Sequence, residues 1–261
     1  MDFGMPTLIE LKTLAETVEL CMDLGLKFIE LNMNMPQYQV DKLSMDTLRY
    51  IQNSAIYFTI HLDESLNIWD FNPLVSKAYF DTVLSAISFA KAANIPILNM
   101  HMNSGVYFTL PNEKVYLYER YKVEFIEKTC RFRQACERAI GDCDIKICIE
   151  NSDGFTNFQT EAMEYLLESP VFGLTLDIGH DHSTGNKDEP IIMKHKDKLC
   201  HMHIHDAIAI RNHLAIGTGE IDINQKLLLA EAHNCRCVLE TKTVEGMETS
   251  VTNLRHLFSL K

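Results

Sequence analysis

The sequence predicts an α/β fold, a (β/α)8 barrel in a single domain over residues 1–261, and three observations carry that expectation. Short apolar runs suited to strands alternate with longer stretches of helical period. Single acidic or imidazole residues, namely His61, His101, Glu150, Asp177 with His180, His203 and Glu240, stand at the ends of successive apolar runs. They lie about one strand, one helix and two turns apart, the repeat of such a barrel. Finally, 261 residues is close to the ~250 typical of the fold and too few for a barrel plus a second sizeable domain. Strands each followed by a helix form a parallel sheet, and closing that sheet brings the strands' carboxyl ends to one mouth.

Residues 1–5 read as a short first strand, and 8–24 carry apolar residues at helical spacing until Gly25. Residues 27–33 alternate as a strand, 43–51 form a helix, and 56–62 form a strand rich in β-branched and aromatic residues with His61 near its end. Pro73 suits a first helical turn, where its missing N–H costs nothing, and that helix runs to about residue 93. Residues 96–102 are the fourth strand, carrying His101. The Gly- and aromatic-containing loop 103–112 is a candidate lid, and 113–140 is the longest helical pattern, stopped at Gly141. The fifth strand, 145–149, delivers Glu150 and Asn151, and helix 158–167 ends before Pro170. Residues 171–176 deliver Asp177. Helical residues 189–196 precede the seventh strand, 199–205, and a long loop spans 206–222. Helix 223–233, strand 236–239 and helix 245–260 complete eight βα units. Of 11 histidines, only His195, His233 and His256 fall in helical stretches, so the imidazoles gather where strands end.

Composition narrows the partners. At 46% hydrophobic and 23% charged residues, the chain is an ordinary globular one with ample core material. Twenty-four Lys and Arg against 36 Asp and Glu give a net charge of -12, which repels nucleic acid and anionic membrane surfaces. Residues 1–10 lack a basic start and a long apolar stretch, and nothing reaches the length of a membrane span, so a cytoplasmic protein with no membrane partner is expected. The 8 cysteines form no Cys-x2-Cys pair and read as thiols of a reducing compartment.

Glu150, Asp177, His203 and Glu240 end four consecutive strands. Three carboxylates cannot share a buried site unless a cation compensates them. Three oxygen donors and one nitrogen suit Mn²⁺, Mg²⁺, Co²⁺ or Zn²⁺. His201, His203 and His205 alternate and face the interior together, but alternate residues lie ~6.5 Å apart, so only the central His203 is expected to bind the ion. His201 reads as a hydrogen-bonded core residue. His205 and Asp206 would support a ligand or touch substrate.

The stretches Ile149-Glu150-Asn151, Asp177-Ile178-Gly179-His180, Met202-His203-Ile204-His205-Asp206, residues 213–222 and Leu239-Glu240-Thr241 resemble, in matching order, the xylose-isomerase-like TIM-barrel superfamily. That superfamily includes sugar phosphate isomerases and epimerases and the endonuclease IV-type apurinic endonucleases. The epimerase branch implies Glu150, Asp177, His203 and Glu240 as ligands of one divalent metal, Glu150 and Glu240 as catalytic acid and base, and His180 as a substrate contact. The endonuclease branch implies a three-metal cluster, with His61 and His101 sharing a first ion with Glu150, and with His180 and His213 holding a third. That third ion also needs an Asp two residues before the last His, where this chain has Arg211. A complete third site is therefore not expected. His61, His101, His180 and His213 are left with two readings, a second metal or contacts to substrate.

Glu30, Asn103, Asn151, His205 and Arg211 are candidate substrate contacts, with support of a metal ligand or a structural salt bridge the other readings of Glu30. Arg211 is the one cation expected near the mouth, and His182 is expected in solvent. Trp69, with Phe71 and Tyr107, is a candidate roof. Together these imply a divalent-metal-dependent isomerase or epimerase of a small sugar, sugar phosphate or polyol ketone, acting by proton transfer through a metal-stabilised enediolate. A keto-polyol dehydratase would use the same enolisation. A phosphodiester hydrolase of the apurinic endonuclease type conflicts with the charge and with Arg211, and a non-catalytic binding barrel conflicts with the complete ligand set. The oligomeric state is left open.

Overall fold

The apolar runs pair as parallel strands, and among the residues described, 1–259 of a computed structural model, eight of them close into a barrel. The chain opens with β1 (Asp2–Pro6), α1 (Leu14–Asp23), β2 (Phe28–Asn32), α2 (Met45–Gln52) and β3 (Tyr57–His61). Helix α3 (Pro73–Ala93) leads to β4 (Ile97–His101) and then to a hairpin of β5 (Tyr107–Thr109) and β6 (Lys114–Tyr116). Next come α4 (Leu117–Arg120), α5 (Lys122–Ile140), β7 (Lys146–Glu150), α6 (Asn157–Leu167) and β8 (Phe172–Asp177). Short helices α7 (Ile178–Ser183) and α8 (Glu189–Met193) precede β9 (Leu199–Ile204). A second hairpin, β10 (Asp206–Ile208) and β11 (Arg211–Leu214), is followed by α9 (Ile223–Ala232), β12 (Arg236–Leu239) and α10 (Val244–Ser259). Around the barrel the order is β1, β12, β9, β8, β7, β4, β3, β2.

Alternation along each strand divides the side chains between two environments. Ile29, Leu31, Phe58, Ile60, Ile147, Ile149, Leu174, Leu176, Met202 and Ile204 are fully buried in the continuous apolar core. The alternate set is polar. Glu30, Thr59, Asn99, Thr175 and His201 are equally buried and form a hydrogen-bonded layer, with Thr59 Oγ1 donating to Glu30 Oε2 at 3.1 Å and Thr175 Oγ1 to Asn99 Oδ1 at 2.6 Å. Register then sets His101 opposite Glu150, and Asp177 opposite His203, at the carboxyl ends.

Several expectations change. Helix α1 begins at Leu14, not residue 8, because Thr13 caps it: its hydroxyl accepts from Glu16 N–H at 3.2 Å while Glu16 Oε2 accepts from Thr13 N–H. The run 113–140 is not one helix. Lys114–Tyr116 pairs with Tyr107–Thr109 across a turn containing Pro111, so the candidate lid is a β-hairpin. The loop 206–222 likewise contains the β10–β11 hairpin. Helix α7 was absent from the sequence reading, and its N-cap is Asp177 itself, whose side chain accepts from His180 N–H at 2.7 Å. The expected last residue of the closing helix, 260, lies outside the described residues. Trp69 is no roof: it is fully buried, donates from Nε1 to Thr129 Oγ1 at 2.9 Å and packs on Phe125 and Phe132. Phe71 packs against Tyr118 and Tyr121, and Tyr107 stands exposed on its hairpin beside Tyr116.

All eight cysteines are free, with Cys143 exposed, Cys130 and Cys200 partly buried and the rest buried. Among the described residues no helix is long and apolar enough to cross a membrane.

Candidate metal centre and active site

His203 sits at the centre of the mouth with no side-chain exposure. Its Nδ1 lies 2.8 Å from Glu150 Oε1, 3.0 Å from Glu240 Oε2 and 3.8 Å from Asp177 Oδ2. One ligand atom from each of the four residues falls within 4.8 Å of the others. His203 Nδ1, Glu150 Oε1 and Glu240 Oε2 are buried, yet none makes a hydrogen bond. Short distances without alignment mean that the donors point at a shared space rather than at one another, and that geometry fits a cation. The donor set, three carboxylates and one imidazole, is the one expected from the sequence.

Electrostatics agree. Burial pushes the Glu150 carboxyl upward, but His203 and His101 outweigh it and hold it well below the usual range. Glu240 is likewise lowered against burial by His203, His213 and Lys242. Burial lowers His203, and Glu150, Glu30 and Glu240 reverse this and raise it well above an ordinary histidine. The carboxylates are thus held charged, ready to act as ligands.

His61 and His101 meet on the far side of Glu150, their Nε2 atoms 3.3 Å and 3.0 Å from Glu150 Oε2. His61 Nδ1 lies 2.7 Å from the Leu62 carbonyl, which places its proton there and turns Nε2 inward. Burial pulls His61 down, but its hydrogen bond to Glu150 and the Glu150 charge carry it up to about 9. Glu150 therefore stands between two sets of imidazoles and can serve either.

The candidate substrate contacts divide. His180 Nδ1 lies 3.3 Å from Asp177 Oδ2 and His213 Nε2 3.7 Å from Glu240 Oε1, both partly exposed at the mouth. His205 is fully buried with both ring nitrogens engaged, which fits its reading as a support for a neighbouring carboxylate. Asn151 is buried as well. It clamps the strand ends, donating from Nδ2 to the Asp177 carbonyl and accepting the Asp177 N–H, each at 2.9 Å. Glu30 lies beneath the centre at 1% exposure, with Oε1 2.9 Å from His203 Nε2 and Oε2 accepting from His201 Nε2 at 2.9 Å. His201 is the core residue expected.

Asn103 is partly buried and accepts from Gly105 N–H at 2.8 Å. Arg211 is exposed on β11, and the cation at the centre is instead Lys242, whose Nζ is 2.7 Å from Glu240 Oε1. It lies two residues beyond Glu240, in the bend that follows β12 and outside any strand, so no strand period announces it. Asn99 and Thr175 were legible from the period of two, two residues before His101 and Asp177. His182 is partly buried rather than solvated and lies 3.2 Å from Glu220. Asp206 accepts four backbone N–H groups, from Ala207, Gly217, Gly219 and Ile221, and so fixes the loop after β11.

A cavity of about 160 Å³ opens beside His101, lined among others by Glu64, Asn103, Tyr116, Asp153 and Thr156. Among the described residues, no Lys or Arg lines it. Nearby backbone donors are already used, since Phe155 N–H donates to Asp188 Oδ1 at 2.7 Å and Thr156 N–H to Gln159 Oε1 at 2.9 Å.

The barrel is similar to several solved structures. A D-tagatose 3-epimerase-like protein matches with a TM-score of 0.79 and 21% identity over 100% of this chain and 98% of the other. The 3-keto-D-glucoside 4-epimerase YcjR from E. coli matches with a TM-score of 0.76 and 11% identity over 99% of both chains. The IOLI protein with a binding zinc atom matches with a TM-score of 0.71 and 16% identity over 97% of this chain and 93% of that one. At such identities these likenesses establish the fold. The uncharacterized protein MJ1614 of Methanocaldococcus jannaschii is 25% identical over 98% of this chain and 99% of its own. Sequence and fold agree at the family level: residues 18–258 match the xylose isomerase-like TIM barrel, and the chain belongs to that family.

Proposed function

We propose that this protein is a divalent-metal-dependent isomerase or epimerase of an unphosphorylated sugar or related polyol ketone. The observation that carries the reading is the pair Glu150 and Glu240, which reach the same buried point from β7 and from the end of β12, on opposite sides of the intervening β8 and β9. A divalent ion held by Glu150, Asp177, His203 and Glu240 would polarise a hydroxy-ketone and acidify the adjacent C–H. The chain's own residues do the rest. One glutamate takes the proton from carbon and the other returns one from the opposite side, and inversion or isomerisation depends on which carbon receives it. His180 and His213 orient the reacting end, while His61 and His101 bind substrate hydroxyls or a second ion. A similar structure carrying bound zinc supports the metal reading. Free cysteines suit a reducing, cytoplasmic setting.

The cavity beside His101 favours a neutral ligand. Glu64 and Asp153 repel a phosphate dianion, and Asn103, Ser104, Ser152 and Tyr116 offer the donors and acceptors that hydroxyls need. Purified protein supplied with Mn²⁺ or Zn²⁺ should exchange the α-proton of a neutral ketose with D₂O faster than that of its phosphate. No exchange with any ketose, together with nicking of abasic DNA, would replace this reading by the hydrolytic one. Elemental analysis then counts the ions, one equivalent for the four-residue centre alone and two if His61 and His101 join Glu150 at a second.

A further inference from the structure

Three histidines, His180, His205 and His213, converge outside the four-residue centre, with one nitrogen from each within 4.8 Å of the others. The bonds of His205 show that they are not equivalent. Its Nδ1 accepts the backbone N–H of His213 at 2.8 Å. The Asp206 carbonyl is also near that nitrogen but at 3.4 Å, and an amide proton cannot move, so Nδ1 is the acceptor. A neutral imidazole has one N–H, which therefore sits on Nε2, where Asp177 accepts it with Oδ2 at 3.1 Å and Oδ1 at 3.0 Å. Neither nitrogen has a lone pair left for an ion. The ring is also stacked on His213, with centroids 4.4 Å apart and planes 6° from parallel, so the two do not aim in-plane lone pairs at one point.

We infer that His205 is a positioning residue: it holds the Asp177 carboxylate in place for the ion, and its own tautomer is set by the His213 amide of the β10–β11 hairpin. The inference rests on the metal reading of Asp177. The hairpin side of the link is built with some strain. His213 adopts φ 58, a left-handed conformation uncommon for a residue with a side chain, and its amide's bond to His205 helps hold it there. His213 also carries its own ring to Glu240. One hairpin thus reaches two carboxylates of the centre, Asp177 through His205 and Glu240 directly.

Two substitutions separate the two bonds. His205→Asn keeps an acceptor near the position of Nδ1 and removes the donor to Asp177, whereas His205→Gln keeps a donor near Nε2 and removes the acceptor for His213. Zinc affinity of the full chain, measured by competition with a chromophoric chelator, should fall ~10–100-fold in His205→Asn and stay close to wild type in His205→Gln. Exchange of the His213 amide should show the reverse order, accelerated in His205→Gln and protected in His205→Asn. Equal losses in both variants, or wild-type zinc affinity in His205→Asn, would overturn the inference. Wild-type protein that takes up no zinc would overturn the metal reading, and the amide exchange would still decide whether His205 grips the hairpin.

Discussion

Gly179 and the ring of His205 touch so closely that no side chain fits between them: a β-carbon built at Gly179 would lie 1.9 Å from His205 Cε1 and 2.2 Å from Nδ1. Gly179 is the second residue of α7, the helix that Asp177 caps, so the helix, Asp177 and the His205 ring are packed as one unit. Gly179→Ala should displace the ring and break its bond to Asp177. We expect a loss of about 1–3 kcal/mol in unfolding free energy, the usual cost of overpacking, together with weakened zinc binding. The stability loss should be smaller when His205→Ala is also present, because the clashing ring is gone. Urea unfolding of the two single variants and the double variant measures that coupling. Additive losses would mean that Gly179 matters for another reason.

Glu150→Gln and Glu240→Gln remove the two groups assigned to proton transfer while preserving shape. Each should lower α-proton exchange by at least ~10²-fold, the lower end of what positioned acid–base catalysis contributes. Circular dichroism and thermal unfolding should show both variants folded. A folded, metal-loaded Glu150→Gln protein that exchanges protons at the wild-type rate would end the assignment.

The barrel was legible because apolar runs repeat and length bounds their number, and the four-residue centre was legible because each of its side chains stands at or just past the end of a strand. What lay between strands was harder. Residues 113–140 have helical spacing, but Val115 and Tyr116 find partners in Phe108 and Tyr107 once Pro111 and Asn112 turn the chain, so tertiary pairing overrides local period. For His205, residue type and face admit both support of a ligand and contact with substrate. Only the backbone of His213, eight positions away across a hairpin, reveals that both its nitrogens are occupied. Arg211 and Lys242 exchanged places for a similar reason. Arg211 is exposed beside the turn of the β10–β11 hairpin, whereas the bend after β12 brings Lys242 to Glu240.

Lys242 lies 2.7 Å from Glu240 Oε1, while Oε2 faces the centre, so its charge would oppose an ion held by Glu240. Lys242→Met should therefore tighten zinc binding rather than weaken it. The side chain is 53% exposed, so solvent screens the pair and the gain should be no more than about 1 kcal/mol, or about fivefold. Raising the salt concentration should shrink the difference between variant and wild type. Isothermal titration at two ionic strengths tests both statements. Weaker binding in Lys242→Met would mean that the lysine braces Glu240 as a ligand.

Asp188 gives a pH dependence separate from the metal centre. It is fully buried, with Oδ1 accepting from Phe155 N–H at 2.7 Å and Oδ2 making no hydrogen bond. Burial raises its pKa, the neighbouring Asp181 and Asp153 raise it further, and the Phe155 bond and Lys187 offset this only in part. A carboxyl whose pKa is raised by folding holds its proton more tightly in the native state. Its contribution to stability is therefore complete below the pKa of the unfolded chain and is lost as pH rises through the higher folded value. Asp188→Asn keeps an oxygen for the Phe155 N–H and removes the charge. Relative to wild type, the variant should gain stability as pH rises above about 4, and little of that gain should remain at the acid end. Urea midpoints measured across that range decide it. A deficit that deepens as pH rises would mean that the ionised Asp188 stabilises the loop leading into α6.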